Sequence, residues 1–416
     1  MIPTGKRNGV AIVMGSNDTA LNTARCLSES GIDVRLLYTS NDGLGRYTRV
    51  ARAVNLVRFG SDMDRYTEWI ADYAARLGNR PVLIPCGDAD AIAVSRYRDR
   101  LESSCRVWSN PLNDLLAIVS KDQLTSRARQ LGIAVPATIT APARGDLLVW
   151  MKAHAPPYFV KPFYLGVEGS DFMGKNRIIG SSQELLDFME TTAERSLIVQ
   201  QLVHGGDGWV YDCYGLCRRD HEIVAFATHK RIRQQPPDRG VTCYGEIPAA
   251  LPNNRDQRIL DLTRKLLAGL PYHGIFGIEW IEDRESGELS LIDFNARPFI
   301  TIRHLRDCGL NLPLLAYDEL TDGDLSTVPQ TPTLTHKYWI DVLADARTFR
   351  VLHSRGTISW FEWLRSLAGC RSYAIFSTRD LVPSMMRVFE TLTSVVSHGW
   401  RRLMHRDTTR LKKNHS

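Results

Sequence analysis

The chain of 416 residues is long enough for two or three domains with separate cores, and its 44% hydrophobic and 24% charged content is ordinary for a globular protein. No apolar run approaches the roughly 20 residues that a membrane-spanning helix needs, and the N-terminus lacks the apolar core of a signal peptide. The net charge of +6 does not indicate a large nucleic-acid surface. Residues 401–416 alone contribute +5, so the rest of the chain is close to neutral.

The eight cysteines are scattered along the chain, with no CxxC spacing and no pairing with histidines. In a chain of this length, such a pattern argues against a disulfide framework or a zinc site and favours a reducing compartment. We therefore predict a cytoplasmic protein, and we place Cys213 and Cys217, the closest pair, in the core.

The chain begins with an apolar strand at 9–14, a helix at 19–30 and a second strand at 33–37. This start predicts a doubly wound domain with a parallel sheet. The G-x-G-x-x-G fingerprint is absent and no acidic residue closes the second strand, which argues against a dinucleotide site. Asp88 follows a later strand, at a strand end where such sheets bind ligands. We expect it to cap the helix from Ala89, with substrate contact as the alternative.

A lysine lies inside the apolar strand 158–162. Burying the Lys161 ammonium is costly unless an anion meets it. The loop 165–170 follows with two glycines, whose backbone N–H groups can approach and hold an anion. We predict an anion site here; the alternative is a lysine that reaches the surface beside a loose loop. A basic strand end at 230–233, before a loop with prolines and a glycine, predicts another anion contact.

Two apolar runs, 275–281 and 289–294, flank a polar turn and predict a β-hairpin. Because side chains alternate between the two faces of a strand, the hairpin should gather polar side chains on one side and apolar ones on the other. The polar set is Glu279, Asp293, Asn295 and Arg297. Such hard oxygen ligands suit Mg²⁺, which takes the rest of its shell from water and substrate phosphates. Ordinary surface charges on a half-solvated hairpin are the alternative.

Glu279 followed by Asp293-x-Asn295-x-Arg297 resembles the ATP-grasp superfamily, in which a strand glutamate precedes an E-x-N-P-R strand. Lys161-Pro162 also fits the family pattern, as does Lys121 at the start of a helix that leads into a G-I-x-x-P turn. The sequence departs from the pattern at Asp293, where the family has glutamate, at Ala296, where it has proline, and at Ser120, where it has aspartate. The G-x-N-L-P segment at 309–313 looks like the D-aspartate-ligase-like carboxylate–amine ligases.

This resemblance implies a mixed α/β and α+β architecture, the ATP-grasp fold. The domains would be an N-terminal doubly wound pre-grasp domain at 1–115, a lid subdomain at 116–203, a catalytic core at 204–328, and a mostly helical C-terminal extension with a basic amphipathic helix at 329–416.

The resemblance also implies roles for individual residues. The metal ligands would be Glu279, Asp293 and Asn295. The residues that contact the ATP phosphates would be Lys121, Lys161, Gly166, Gly169 and Ser170. Adenine would lie beside Gln201 and Val203, and the ribose beside Asp207. Arg231 and Arg297 would be catalytic, Arg231 holding the acyl phosphate, and Arg303 would hold a substrate carboxylate.

The implied activity is ATP- and Mg²⁺-dependent joining of a carboxylate to an amine through an acyl phosphate, with amino acids as expected substrates. One or two ions would bind, and Mn²⁺ is a substitute. The implied partners are small molecules and a second copy in a homodimer, without nucleic acid. The alternatives are an enzyme of this fold that carboxylates a nitrogen or only activates a carboxylate, and a non-catalytic protein that binds ATP and is recruited to a membrane.

Apolar residues between 385 and 403 recur at helical spacing and predict an amphipathic helix with a basic end. This helix either docks on the body of the protein or on a partner subunit, or lies on an anionic membrane through 384–416.

Overall fold

The computed structural model describes residues 9–393 apart from 42, 61, 141, 163–175, 192–196, 248–250, 328 and 334–337. These residues form three sheets, which follow one another along the chain. The predicted combination of α/β and α+β architecture is confirmed.

The first sheet has five parallel strands in the order β3-β2-β1-β4-β5. The strands are β1 Val10–Met14, β2 Asp33–Tyr38, β3 Arg52–Asn55, β4 Val82–Pro85 and β5 Arg106–Val107. The helices that cover or flank it are α1 Asp18–Ser28, α2 Met63–Leu77, α3 Asp88–Arg96, α4 Arg98–Ser104 and α5 Leu112–Val119. The strand order reverses between β1 and β4, where sheets of this kind form a crevice at their carboxyl ends.

The second sheet has four antiparallel strands in the order β6-β9-β7-β8. The strands are β6 Thr138–Thr140, β7 Tyr158–Pro162, β8 Arg177–Ile179 and β9 Leu197–Gln201. The helices of this region are α6 Lys121–Gln130, α7 Arg144–Ala153 and α8 Ser182–Thr191. Tyr158 and Val160 of the central strand β7 pack with Leu147 and Leu185 of the helices into a small separate core.

The third sheet has seven strands in the order β14-β13-β10-β11-β12-β15-β16. The strands are β10 Val210–Cys217, β11 Ile223–Gln235, β12 Val241–Glu246, β13 Gly274–Glu282, β14 Leu289–Asn295, β15 Tyr338–Ile340 and β16 Cys370–Tyr373. The helices are α9 Arg255–Ala268, α10 Ile302–Asp307, α11 Leu312–Leu320, α12 Val342–Ser354, α13 Trp360–Ala368 and α14 at 381–393.

The third sheet is buried on both faces. On one face, Tyr214 and Leu216 share a core with α11 and with the strands of the first sheet. On the other, Ile278 and Trp280 pack with helix α9. This double burial explains why strands β10 and β13 are apolar almost throughout, and it makes the few charged side chains within them conspicuous.

The C-terminal region joins both of the larger sheets. Strand β15 pairs with β12, and β16 pairs with β15, so this region adds two strands to the third sheet. Trp339 of β15 is fully buried against Leu21 and Leu44 of the first domain. Among the described residues, no helix combines the length and the apolar sequence that crossing a bilayer requires.

All eight cysteines are buried and have free thiols. The domain boundaries at 115, 203 and 328 stay predictions. Along the chain, the first sheet gives way to the second near 115, and the second gives way to the third near 203.

Candidate active site

The hairpin of β13 and β14 is the foundation of the site. Glu279 pairs in register with Asp293, and Gly277 pairs with Asn295. On the opposite side of the strand, Ile278 and Trp280 are fully buried in the core shared with α9. This alternation places the polar side chains together, as the sequence pattern predicts. Asn295 Nδ2 donates a hydrogen bond to Glu279 Oε1 over 3.1 Å.

A lysine from the region before the second sheet contacts this hairpin. Lys121, the first residue of α6, places its Nζ 2.8 Å from Asp293 Oδ2. Burial opposes the charge of Lys121, but the attraction of Asp293, its hydrogen bond and the nearby Glu279 raise the pKa of the ammonium above its usual value. Burial also opposes the charge of Asp293, yet Lys121 and Lys161 hold its pKa below the usual range. Lys121 and Asp293 therefore form a charged pair.

Lys161 is the second lysine at the site. It lies on β7, is only 6% exposed, and is close enough to Lys121, Asp293 and Glu279 for their charges to act on it. Burial, reinforced by the positive charge of Lys121, lowers the pKa of Lys161 to about 7. An ammonium in this position would gain strongly from an anion, as the sequence argument predicts.

Arg231 lies at the centre of a buried charge network. Its Nη2 is 2.7 Å from Glu279 Oε1 and 2.5 Å from Asp212 Oδ1, and its Nε is 3.1 Å from both Asp212 oxygens. The strand register explains this arrangement, because Asp212 of β10 pairs with Glu279 on one side and with His229 on the other. His229 Nδ1 lies 3.0 Å from Asp212 Oδ2.

The network controls ionisation. Burial opposes the charge of Asp212, but Arg231 and His229 hold the pKa of this carboxyl well below its usual range. For Glu279, burial dominates and the neighbouring Asp293 adds to it, so its pKa is raised despite Arg231. A cation placed between Glu279 and Asp293 would therefore offset the cost of burying the two carboxylates and the repulsion between them.

The oxygen donors present suit Mg²⁺ in combination with phosphates. Within the described part of the chain, no group of three His, Cys, Asp or Glu side chains is placed to hold a metal unaided. Glu279 and Asp293 are neighbours in register and Asn295 is hydrogen-bonded to Glu279, which gives two carboxylates and a carboxamide. Two or three protein ligands are what Mg²⁺ uses when substrate phosphates and water complete its shell.

Arg297 connects the hairpin to the first domain. Its Nε and Nη2 lie 2.7 and 3.2 Å from the two carboxylate oxygens of Asp88, a two-point ion pair. The N-cap prediction for Asp88 is wrong, because Gly87 is the cap of α3 and Asp88 is its first residue. Its carboxylate is held by a partner 209 residues away and not by its own helix. Asp90 lies beside this pair, and burial raises its pKa to about 7.

The predicted adenine and ribose contacts lie around the end of β9. The Gln201 backbone N–H donates to Ala137, and the carbonyl of Val203 accepts from the N–H of Gly205. Asp207 Oδ1 accepts from Gln234 Nε2 and from the N–H of Asp238, both at 3.0 Å. Its Oδ2 is buried without a hydrogen-bond partner, and burial raises the pKa of Asp207 to about 6. Their roles at a nucleotide stay predictions.

Arg303 faces acids of the first domain and of its own helix. Its guanidinium lies 3.6 Å from Glu29 and 3.9 Å from Asp307, and Arg306 pairs with both of the same acids. Arg303 is therefore paired with acids of the protein itself, and its contact with a substrate carboxylate stays a prediction. Gly166, Gly169 and Ser170 lie outside the described residues.

Asp212 and His229 belong to the candidate site but are not among the residues predicted from the sequence. Both are fully buried polar residues in strands, and Asp212 stands within the apolar run Val210–Cys217. A charged side chain inside an apolar strand is the same signal that identified Lys161. It would have found Asp212 as well.

Comparison with known proteins places this arrangement among known folds. No family model and no curated protein matches the sequence. Solved structures do match. N5-carboxyaminoimidazole synthetase from Staphylococcus aureus, complexed with ADP, has 13% identity and a TM-score of 0.64 over 85% of this chain and 87% of that one. The enzyme from Aspergillus clavatus, complexed with ATP, has 13% identity and a TM-score of 0.61 over 80% and 81%.

A third similar structure is the biotin carboxylase domain of the Hydrogenobacter thermophilus 2-oxoglutarate carboxylase, a dimer in complex with MgADP, ADP and bicarbonate. It has 14% identity and a TM-score of 0.60 over 79% of this chain and 73% of that one. At these identities the likeness concerns the fold.

Proposed function

We propose that this chain, which has the ATP-grasp fold, is an ATP-dependent ligase that forms a carbon–nitrogen bond. In its specific form, the reaction joins a carboxylate to an amine through an acyl phosphate, with amino acids as the expected substrate class. The observation that carries the proposal is the meeting of Lys121 and Lys161 with Glu279, Asp293 and Asn295. The two lysines, which can bind phosphates, therefore lie beside side-chain oxygen atoms that can bind a metal.

In this proposal ATP binds with its phosphates against Lys121 and Lys161. Glu279, Asp293 and Asn295 would hold one or two Mg²⁺ ions, with Mn²⁺ as a substitute, and the metal would offset the charge of the β- and γ-phosphates. Gln201 and Val203 would contact adenine and Asp207 the ribose. Such a site would contribute to the reaction by holding charged groups in fixed positions, since phosphoryl transfer depends mainly on positioning and electrostatic stabilisation.

Two arginines would act on the reacting groups. Asp212 holds Arg231 beside Glu279, so the guanidinium is oriented before a substrate arrives. We assign it to the acyl phosphate and to the oxyanion that forms when the amine attacks. Arg297, fixed by Asp88 at the carboxyl end of β4, would stabilise the transferred phosphoryl group. Arg303 is kept as a proposed substrate contact.

Carboxylation of a nitrogen is the second candidate. The three similar structures belong to N5-carboxyaminoimidazole synthetases and a biotin carboxylase domain, and the last contains bicarbonate. The two candidates differ in the acid that is activated, an organic carboxylate or bicarbonate. Both require the same cations and oxygens around ATP.

Release of ADP from ATP tests the proposal and separates the candidates. The full-length protein is incubated with a panel of amino acids or with ¹³C-bicarbonate, each with and without amines, and products are identified by mass spectrometry. ADP release that depends on an acid and an amine supports ligation, whereas a ¹³C-labelled carbamate supports carboxylation. ATP binding without turnover on any substrate would indicate a non-catalytic protein.

Matched variants make the assay specific to the site. Glu279→Gln removes a central carboxylate, and Glu285→Gln changes an exposed carboxylate in the turn of the same hairpin. The proposal requires that only the first variant loses ADP release.

The buried free thiols support a cytoplasmic setting. A homodimer is retained as a prediction.

A further inference from the structure

Exposed apolar side chains are concentrated in one part of the sequence. Of the 14 large hydrophobic side chains that are exposed in the described part of the chain, 11 lie between residues 342 and 392. They are Val342, Val351, Trp360, Phe361, Leu364, Phe376, Leu381, Met385, Val388, Phe389 and Leu392. Single exposed apolar residues are normal, whereas a contiguous exposed apolar patch marks an interaction surface.

Helix α14 presents the most regular part of this cluster. Its exposed apolar residues are Leu381, Met385, Val388, Phe389 and Leu392, and each is 48–67% exposed. They follow one another at intervals of four, three, one and three residues, which places them on one side of a helix. We call these five residues the α14 face.

The other side of α14 holds the helix on the protein. Arg387 Nη2 lies 2.7 Å from Asp18 Oδ2 at the start of α1. Met386 packs against the core that contains Leu21 and Trp339. An amphipathic helix of a globular protein normally turns its apolar side inward. Here α14 does dock on the body, one of the alternatives from the sequence, but it does so through Met386 and Arg387 while the apolar α14 face points outward.

Positive charge is concentrated in the same part of the chain. Residues 342–416 contain 13 basic and 5 acidic side chains, a net +8, whereas the whole chain has a net charge of +6. The remainder of the protein is therefore slightly acidic. The chain runs on from α14 into the segment 401–416, with six basic residues and one acidic residue. An apolar face followed by a basic segment matches a surface with an apolar interior and negatively charged groups at its boundary.

We propose that the α14 face and the basic segment 401–416 bind the surface of an anionic lipid bilayer. The α14 face enters the boundary between headgroups and acyl chains, and the basic side chains contact the acidic headgroups. Trp360 of α13 is an exposed tryptophan, a residue type that favours the membrane–water boundary. This proposal is independent of the catalytic one, since it uses none of the residues placed at the active site.

Binding of the full-length protein to vesicles tests the proposal. We expect co-sedimentation with phosphatidylcholine vesicles that contain phosphatidylserine, weak binding to phosphatidylcholine alone, and a decrease as salt is raised, because the charges are exposed. The double variant Phe389→Ser, Leu392→Ser should lower the partition coefficient at least about tenfold, since it removes two apolar groups that enter the bilayer. Val149→Ser, which changes an equally exposed apolar residue on α7, is the matched control.

A second set of variants tests the charge contribution. Arg401→Gln, Arg402→Gln, Arg406→Gln and Arg410→Gln together should lower partition into phosphatidylserine vesicles at least about tenfold. Thermal unfolding of all variants is measured alongside, so that loss of binding is distinguished from loss of folding. Phe389→Ser, Leu392→Ser and Val149→Ser should match the parent protein, because these side chains are exposed. Equal binding to neutral and acidic vesicles, or binding that both sets of variants leave unchanged, would overturn the proposal.

The other occupant of the α14 face would be a second copy of the chain. Sedimentation equilibrium without lipid distinguishes it from a membrane. A dimer that Phe389→Ser, Leu392→Ser converts to a monomer, together with no binding to acidic vesicles, would replace the membrane proposal by a subunit interface. If the parent protein and the variants have the same mass in solution and the vesicle results are as expected above, the membrane proposal is supported.

Discussion

Arg231 is fixed on the fully buried carboxylate of Asp212 by a contact of 2.5 Å from Nη2 and two of 3.1 Å from Nε. The same guanidinium reaches Glu279 over 2.7 Å. We therefore propose that Asp212 is a positioning residue, which acts on the proposed chemistry through the arginine it orients. Its partner His229 supports the carboxylate from the opposite side.

The variant Asp212→Asn tests this positioning role. An amide cannot accept from Arg231 as strongly as a carboxylate, so the variant should lose about 2 kcal/mol of unfolding free energy. Turnover should fall about tenfold or more, whereas KM for ATP should change little, because Asp212 does not contact the lysines of the phosphate site. Chemical denaturation and steady-state kinetics measure the two effects. An unchanged turnover in a destabilised protein would leave Asp212 with a structural role only.

The second prediction concerns the carboxylates of the hairpin. Asp293→Asn and Glu279→Gln should each lower ADP release by at least about 10²–10³-fold, because each removes a charge from the proposed metal site. Both proteins should keep the parent's circular dichroism spectrum. Removal of divalent ions by EDTA should abolish the activity of the parent protein, and added Mg²⁺ or Mn²⁺ should restore it. Normal activity in both variants would remove the metal assignment.

Lys161 predicts a characteristic dependence on pH. Its pKa is about 7 in the folded protein without nucleotide, below the ordinary value of 10.5. Between these values the unfolded chain binds the proton and the folded protein does not, so the free energy of unfolding should rise with pH by up to about 1.4 kcal/mol per unit. Lys161→Met should reduce this slope. Urea denaturation between pH 7 and 10 measures it, and identical slopes in the two proteins would contradict the assignment.

The same lysine should couple ATP binding to proton uptake. Phosphates favour the charged ammonium, so binding should raise the pKa of Lys161 and should weaken as pH rises above about 7. Calorimetry in two buffers of different ionisation enthalpy detects the proton that is taken up. Lys161→Met should bind ATP more weakly and take up fewer protons than the parent protein at pH 8.

The ion pair between Arg25 and Asp380 gives a prediction for stability. Both side chains are fully buried, and Arg25 Nε lies 2.9 Å from Asp380 Oδ2. Asp380 also accepts from the Thr48 hydroxyl and the Arg49 N–H. Asp380→Ala leaves the arginine buried without its partner and should cost about 3–5 kcal/mol of unfolding free energy. Glu285→Ala, which removes an exposed carboxylate in the turn between β13 and β14, is the control and should change the stability by less than about 0.5 kcal/mol.

Local pattern was sufficient to predict the centre of the site. The alternation of polar and apolar residues in two adjacent strands fixes which side chains share a face, and the hairpin turn fixes their register. For this reason Glu279, Asp293 and Asn295 are neighbours in the structure as the sequence predicts. The apolar sequence around Lys161 likewise predicts a buried lysine, and Lys161 is buried in the structure.

Local sequence pattern could not predict the contacts between distant parts of the chain. The sequence around Asp88 contains a good cap signal, and only the packing of the first sheet against the hairpin turns its carboxylate toward Arg297. Arg303 likewise lies against Glu29, a residue of the first domain. The pairing of β15 with β12 depends on two strands about a hundred residues apart. Such partners are selected by the whole fold, so single segments cannot reveal them.

The position of β15 has a practical consequence for anyone who dissects this protein. Tyr338–Ile340 covers the open edge of β12, and Trp339 fills the space beside α1. A fragment that stops at the end of the predicted catalytic core would expose an unpaired strand together with the hollow left by an indole ring. Exposed edges recruit strands from other molecules, so that fragment should precipitate instead of serving as a minimal enzyme. Strand β15, which follows the predicted core in the chain, is therefore a structural requirement for that core.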